Sequence, residues 1–288
     1  MNAVLEVQGL NKEYPESGFR LNDVSFSLPA GTIMGFVGEN GAGKTTAIGC
    51  ILNTLLRDSG SVKVFGKEMT DASTDIRNDI GVVYDSSVFP EHLTAAKISS
   101  AMRHMFSNWD NTLFRDYLYK FDLPDNKTIK TYSRGMTMKL AVAAALSHRP
   151  KLLVLDEATT GLDPIIRDEI LEVFLDFVQN EYNSILISSH IISDLERIAD
   201  YITFIHEGRI VFSEKKDDLI YGYGVMRCKA SQFAGIDKHD MLAYRKFDYQ
   251  IDVLVADRRA AERKYRDIVI DGATIEEIML TLAKGEKL

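Results

Sequence analysis

Gly38-Glu39-Asn40-Gly41-Ala42-Gly43-Lys44-Thr45 follows an apolar run at residues 32–37 and leads into a helix-forming stretch. The spacing is G-x-x-x-x-G-K-[ST], and its context is strand, loop, helix. Glycines let backbone N–H groups close around phosphate oxygens, and a helix start adds the positive end of its dipole. Gly38, Asn40, Gly41, Ala42, Gly43, Lys44, Thr45 and Thr46 are therefore the expected phosphate-loop contacts. Lys44 is expected to reach the outer phosphates and the Thr45 hydroxyl to ligate Mg2+. Kinases, GTPases and ATPases all use such a loop. A guanine-reading N-K-x-D is missing, because Asn11-Lys12-Glu13-Tyr14 and Asn126-Lys127-Thr128-Ile129 both lack the final Asp. That argues against a GTPase.

Outward from the loop, short strands and helices alternate. Residues 32–37 are apolar on both faces, as a central parallel strand is. Further strands are expected at 61–65, 80–84, 151–156, 185–189 and 202–206, with helices at 45–56, 165–180 and 192–199. Before the loop, residues 5–7 and 24–28 alternate with period two. Glu207-Gly208-Arg209 reads as a hairpin turn into residues 210–212. Residues 94–149 read as a helical subdomain that holds the single tryptophan, Trp109. The expected class is α/β: a parallel-sheet core with a helical insertion. Domain boundaries are expected at 1–219 for this core and 220–288 for a small α+β appendage, joined by a linker at Tyr221-Gly222-Tyr223-Gly224.

Composition narrows the function classes. The 288 residues carry 34 Lys+Arg against 42 Asp+Glu, a net charge of −8, with 45% hydrophobic and 26% charged residues. Such a balance excludes a disordered tail, a collagen-like fibre and a disulfide scaffold. The negative total argues against general nucleic-acid binding. No apolar run approaches the roughly 20 residues of a bilayer span. The longest, at 140–146, is Ala-rich and reads as the buried side of a helix. Residues 1–14 lack a basic start followed by an apolar core, so no secretory signal is expected. Cys50 and Cys228 are the only cysteines and sit in no metal-type cluster, which reads as two unpaired thiols.

Leu152-Leu153-Val154-Leu155-Asp156-Glu157 is an apolar strand that ends in two acids. A buried strand carries carboxylates at its C-terminal edge, where open α/β sheets place ligands. Asp156 suits the Mg2+ shell, and Glu157 suits a general base that polarises an attacking water. Capping of the following helix is the plainer alternative for this pair.

Three further motifs complete a pattern. Tyr132-Ser133-Arg134-Gly135-Met136 stands upstream of Asp156, Thr160-Gly161-Leu162-Asp163-Pro164 follows it, and Ser188-Ser189-His190 comes later. In this order they resemble the signature, D-loop and switch histidine of ABC transporter ATPases, over about residues 5–219. The resemblance implies the ABC ATPase fold: a phosphate-loop core, an N-terminal antiparallel β part and a helical subdomain. It also implies two subunits that sandwich two ATP molecules, each held between one subunit's phosphate loop and the other's signature. Ser133 and Gly135 are then expected to contact ATP across the dimer, Asp163 to couple the two sites, and His190 to hydrogen-bond the γ-phosphate. Tyr14 resembles the aromatic that stacks on adenine, although Pro15 and Phe19 blur its register.

Two positions depart from the family pattern. Arg134 replaces the usual Gly after the signature Ser, so its side chain must point away from the phosphate or add charge to it. Asp85, aligned with the usual Gln or Glu after the third core strand, is shorter and is expected to reach Mg2+ through water. Lys44, Asp156, Glu157 and His190 are intact, as an active ATPase requires.

One nucleotide-binding unit and no membrane span imply an exporter subunit at the cytoplasmic face of the membrane, with its transmembrane permease on a separate chain. The signature and the short appendage look like bacterial ABC-2-type exporters of peptides, toxins or antibiotics. The alternative is a soluble ABC-type ATPase of assembly or regulation without a permease. Residues 85–109, with Phe89, Leu93 and Met105, are the expected docking segment for a permease helix, against the plainer reading that they cap the subdomain core.

Overall fold

The computed structural model describes residues 3–86 and 89–286. Alternating apolar residues give two long antiparallel strands, β1 (Ala3–Tyr14) and β2 (Phe19–Pro29), that bury Leu5, Val7, Leu10, Leu21, Val24 and Leu28. β3 (Ile33–Val37) is buried on both faces and feeds the phosphate loop and α1 (Lys44–Ile51). Next come β4 (Ser59–Val64), β5 (Lys67–Glu68), α2 (Thr74–Asn78) and β6 (Ile80–Tyr84). The helical insertion holds α3 (Ala95–Met105), α4 (Asn111–Lys120) and α5 (Arg134–Leu146). The chain returns as β7 (Leu152–Asp156), α6 (Pro164–Phe177), β8 (Ser184–Ser189), α7 (Ile192–Ile198), β9 (Tyr201–His206) and β10 (Arg209–Lys215). It ends as α8 (Lys216–Gly222), β11 (Gly224–Cys228), α9 (Ala230–Phe233), β12 (Ala243–Lys246), β13 (Ile251–Val255), α10 (Arg258–Lys264), β14 (Val269–Gly272) and α11 (Ile275–Lys284).

Three sheets result, in the orders β2-β1-β4-β5, β10-β9-β3-β8-β7-β6 and β12-β13-β11-β14. The middle sheet is parallel from β9 through β6, and every residue of β3, β7 and β8 is buried. Its three central strands end side by side at Val37, Asp156 and Ser189, which sets the phosphate loop, the paired acids and His190 along one edge. Open α/β sheets bind ligands at that edge. This is the α/β class with antiparallel part, helical subdomain and α+β region that the sequence implies.

Three local readings need correction. The first helix stops at Ile51, not at residue 56. Asn53 is left-handed at φ 54°, and Thr54 and Leu55 both donate backbone N–H bonds to Gly49 O. Leu55 then folds over Gly49, where an added Cβ would lie 2.7 Å from Leu55 Cδ1. α6 similarly ends at Phe177, three residues short of the expected end.

The expected linker is not loose. Tyr221 and Gly222 close α8, Gly224 opens β11, and the Tyr223 hydroxyl donates to Glu214 at 3.0 Å. Burial first, then that acceptor, pushes the Tyr223 phenol up to about 12. One continuous core includes Leu155 and Phe174 of the ATPase part together with Leu219, Val225, Leu254, Ile275 and Ile278. Gly-Tyr-Gly suggested flexibility, but apolar neighbours on both sides override it.

In the expected docking segment, Phe89 and Leu93 pack half-buried on the main core, whereas Met105 is 70% exposed. Ser87 and Val88 lie outside the described residues. Cys50 and Cys228 are buried free thiols, and burial pushes both thiols up. No helix among the described residues is long and apolar enough to cross a membrane.

Candidate functional site

The phosphate loop has little room for side chains. Gly43, at φ 111°, precedes α1, and a Cβ there would meet Leu21 Cδ2 at 2.6 Å and Phe19 at 2.9 Å. A Cβ on Gly38 would meet Ile205 O at 2.5 Å. The β9–β10 turn braces the loop from behind, with Gly208 N donating to Ala42 O at 3.0 Å. Lys44 is 6% exposed and donates to Gly38 O at 2.7 Å and Glu39 O at 3.2 Å. Tyr14, Ser17, Phe19, Asn40, Gly41, Gly43, Lys44, Thr45, Thr46 and Glu157 line a cavity of about 420 Å³ above the loop. Gly38 and Ala42 are buried and do not line it. The Lys12 ammonium sits over the Tyr14 ring, 5.5 Å from its centroid.

β7 presents the paired acids. Asp156 is buried beside Ser188 in the parallel register, and Ser188 Oγ donates to Asp156 Oδ1 at 2.6 Å. The chain then turns sharply, with Glu157 in the left-handed region at φ 55°. A non-glycine residue held there costs on the order of 1–3 kcal/mol, a strain that concentrates at functional sites. Glu157 N donates to Ser188 Oγ at 3.0 Å, which fixes the turn.

The two oxygens of Glu157 differ. Oε2 accepts from Thr160 Oγ1 at 2.6 Å and from His190 Nδ1 at 2.7 Å. Oε1 accepts no hydrogen bond and lies 3.3 Å from Lys44 Nζ. Burial disfavours the charge on Glu157, but the Thr160 and His190 bonds and the Lys44 ammonium outweigh it and hold the carboxyl below its usual range. Glu157 is thus an ionised carboxylate with one oxygen pinned and the other facing the loop lysine. A carboxylate only accepts, so Nδ1 of His190 carries the proton, leaving Nε2 for another partner.

The signature lies apart from this cavity. Ser133 caps α5, its Oγ accepting from Met136 N at 3.2 Å. Gly135 is buried, and a Cβ there would meet Ile166 Cδ1 at 2.3 Å. Arg134 points to the loop after β7 and donates to Thr160 O at 2.8 Å. Asp163 caps α6 by accepting from the N–H groups of Ile165 and Ile166, each at 3.1 Å. Asp85 is exposed and lines a second cleft of about 480 Å³ with Arg134, Phe89 and Met138, not the phosphate-loop cavity.

The fold therefore gathers Tyr14, the loop, Asp156, Glu157 and His190, and leaves Ser133, Gly135, Asp163 and Asp85 outside. Thr160, Ser188 and Phe19 contribute contacts to which the sequence reading gave no role. Thr160 and Ser188 stand inside quoted motifs as hydroxyl residues, which was the available signal.

Thr45 Oγ1 and Asp156 are hard oxygen donors of the kind Mg2+ takes. Among the described residues no group of three or more His, Cys, Asp or Glu could hold a metal alone. The donor set fits an ion that shares its shell with phosphate and water.

The ABC transporter family signature matches residues 21–160. The lantibiotic transport ATP-binding protein SrtF of Streptococcus pyogenes is 35% identical over 216 residues, covering 74% of this chain and 92% of that protein. This chain belongs to the ATP-binding subunits of ABC transporters. The bacitracin transport ATP-binding protein BcrA of Enterococcus faecalis is 33% identical over 213 residues, covering 73% of this chain and 69% of that protein. Among solved structures, the ATP-binding subunit of an ABC transporter superposes with a TM-score of 0.69 at 26% identity, covering 75% of this chain and 91% of that one. Subunits of this ABC family bind ATP and hydrolyse it to power transport, and this chain is such an ATPase.

Proposed function

We propose that two ATP-binding subunits close around Mg-ATP and that Glu157 serves as the hydrolytic base, driving export through a separate membrane permease. The observation that carries this reading is the Glu157 carboxylate, pinned at Oε2, with Oε1 buried, paired with Lys44 and accepting no hydrogen bond. Thr45 and Asp156 would hold Mg2+, which neutralises charge on the phosphates when bound. Oε1 would accept the proton of a water aimed at the γ-phosphate. Lys44 would draw off phosphate charge, while His190 would hold Glu157 and offer Nε2 to the γ-phosphate. Tyr14 would stack on the adenine; Asp85, which lines the second cleft, is left out of the metal shell.

The sandwich is supported by the separation of Ser133 and Gly135 from their own loop. A signature helix that cannot serve its own cavity suits a partner's ATP, with its N-terminus toward phosphate. Asp163 would then link the two sites. The permease is supported by the lack of a spanning helix among the described residues and by the cleft that Phe89, Met138 and Ala141 line. An amphipathic permease helix would set its apolar side on Phe89, Met138 and Ala141 and its polar side on Asp85, Glu91, Lys130 and Arg134. Export of a peptide or antibiotic rests on the likeness to lantibiotic and bacitracin transport proteins. We take residues 1–219 as the ATPase part, with residues 94–149 as its helical subdomain, and residues 220–288 as a regulatory or dimer-stabilising part.

The test is co-purification from membranes. Tagged chain carrying Glu157→Gln, loaded with Mg-ATP, is expected to be recovered as a subunit pair bound to a polytopic membrane protein. Recovery as a membrane-free monomer under ATP would refute the exporter reading and favour a permease-free ATPase.

A further inference from the structure

Arg134 is one of two positions where this chain departs from the family pattern, and its side chain, although exposed, has a defined partner. Its guanidinium donates to Thr160 O at 2.8 Å and lies across Gly161, where an added Cβ would come within 2.9 Å of Arg134 Cζ. Gly161 is left-handed at φ 69°, so the loop is shaped to accept that planar group. On its other side the loop is anchored by Thr159, which is 1% exposed. Thr160 then spans the two segments. Its carbonyl takes the arginine, its N–H donates to Glu157 O at 3.1 Å, and its hydroxyl donates to Glu157 Oε2 at 2.6 Å.

We infer that Arg134 is a positioning residue that orients the hydrolytic carboxylate of its own subunit through Thr160. The physical route is short. Fixing the Thr160 peptide plane fixes the direction of its Cβ and hydroxyl. The hydroxyl shares with His190 Nδ1 the hold on Oε2, and that leaves Oε1 as the oxygen facing Lys44. Without the arginine the Thr160 carbonyl loses this partner and the hydroxyl bond to Oε2 loosens, so the carboxylate is held chiefly by His190 Nδ1 and Lys44 and has more freedom to turn Oε1 from the attacking water. A misplacement of that size affects turnover more than binding. The signature of one subunit, which reads the partner's ATP, thereby reports to the base in its own site. This deepens the proposed function and rests on Glu157 being the base.

A double-mutant cycle on steady-state hydrolysis tests the relay. Thr160→Val is expected to lower kcat ~10-fold, and Arg134→Gly ~3–10-fold, with KM for ATP within ~2-fold. Thr160→Ser and Arg134→Lys keep a hydroxyl and a donor, so each is expected to retain at least about half the parental kcat. The Arg134→Gly/Thr160→Val double variant is expected to match Thr160→Val alone, because both changes break one chain of contacts. Losses that multiply, with melting temperatures unchanged, would overturn the relay and leave Arg134 acting elsewhere, such as on the partner's phosphate. Glu157→Gln separates the two readings. If it is inactive and the cycle is additive, only the relay fails; if it turns over at the parental rate, the base assignment fails and the relay with it.

Discussion

Glu157 carries a titratable contribution to stability as well as a proposed catalytic role. Its folded carboxyl lies below the ordinary value of 4.5. The ionised form therefore stabilises the fold above that value, and the contribution is lost as pH falls through the folded value beneath it. The melting-temperature gap between the parent and Glu157→Gln is expected to shrink as pH falls below the ordinary value of 4.5. A gap that instead widened toward acid would mean that the carboxyl is held above its ordinary value. Lys44→Ala removes a cation aimed at phosphate, so ATP affinity is expected to fall ~100-fold by titration calorimetry. Unchanged affinity would remove Lys44 from the binding site. The main residues of this site were legible because the chemistry restricts residue type: glycines where backbone must approach phosphate, a lysine, and acids at a strand end. Thr160 was not, because a hydroxyl that orients another side chain has no fixed spacing from it.

At the level of elements, the parallel strands were the most readable, since β3, β7 and β8 are buried on both faces and centre on apolar runs at residues 33–37, 152–155 and 185–187. The end of α1 was not, because Leu52, Leu55 and Leu56 continue an apolar pattern while Asn53 reverses the backbone. Gly-Tyr-Gly misled in the opposite sense, since tertiary packing decides what a glycine does there. The turn at Gly208 was read correctly and holds more than a hairpin. It adopts φ 73°, and a Cβ would fall 1.9 Å from Arg20 O while its N–H braces Ala42. Gly208→Ala is expected to destabilise the protein by about 2 kcal/mol or more in chemical denaturation. A loss below about 0.5 kcal/mol would show that the turn relaxes freely.

Over the whole molecule, one core ties the C-terminal region to the ATPase part, so the two are not independent units in energy. Truncation after Leu219 would uncover the surface that Val225, Leu254, Ile275 and Ile278 now cover. Each such side chain is worth about 1.5–3 kcal/mol when buried. A 1–219 fragment is therefore expected to melt well below the full chain, and equal melting temperatures would contradict this packing. Association is the other property at this scale. Because the signature stands apart from its own loop, hydrolysis is expected to rise more than linearly with protein concentration. Strictly linear activity in a sample shown to be monomeric by light scattering would count against a shared site.

The most direct measurement is hydrolysis and binding by Glu157→Gln in the same preparation. The amide keeps the shape and can still contact Thr160, but it cannot take a proton from water. With Glu157 as the base, ATP affinity is expected to stay near that of the parent and turnover to fall at least ~10²-fold, as removal of a general base gives. Turnover at the parental rate with binding intact would contradict that role and require another group to activate the water.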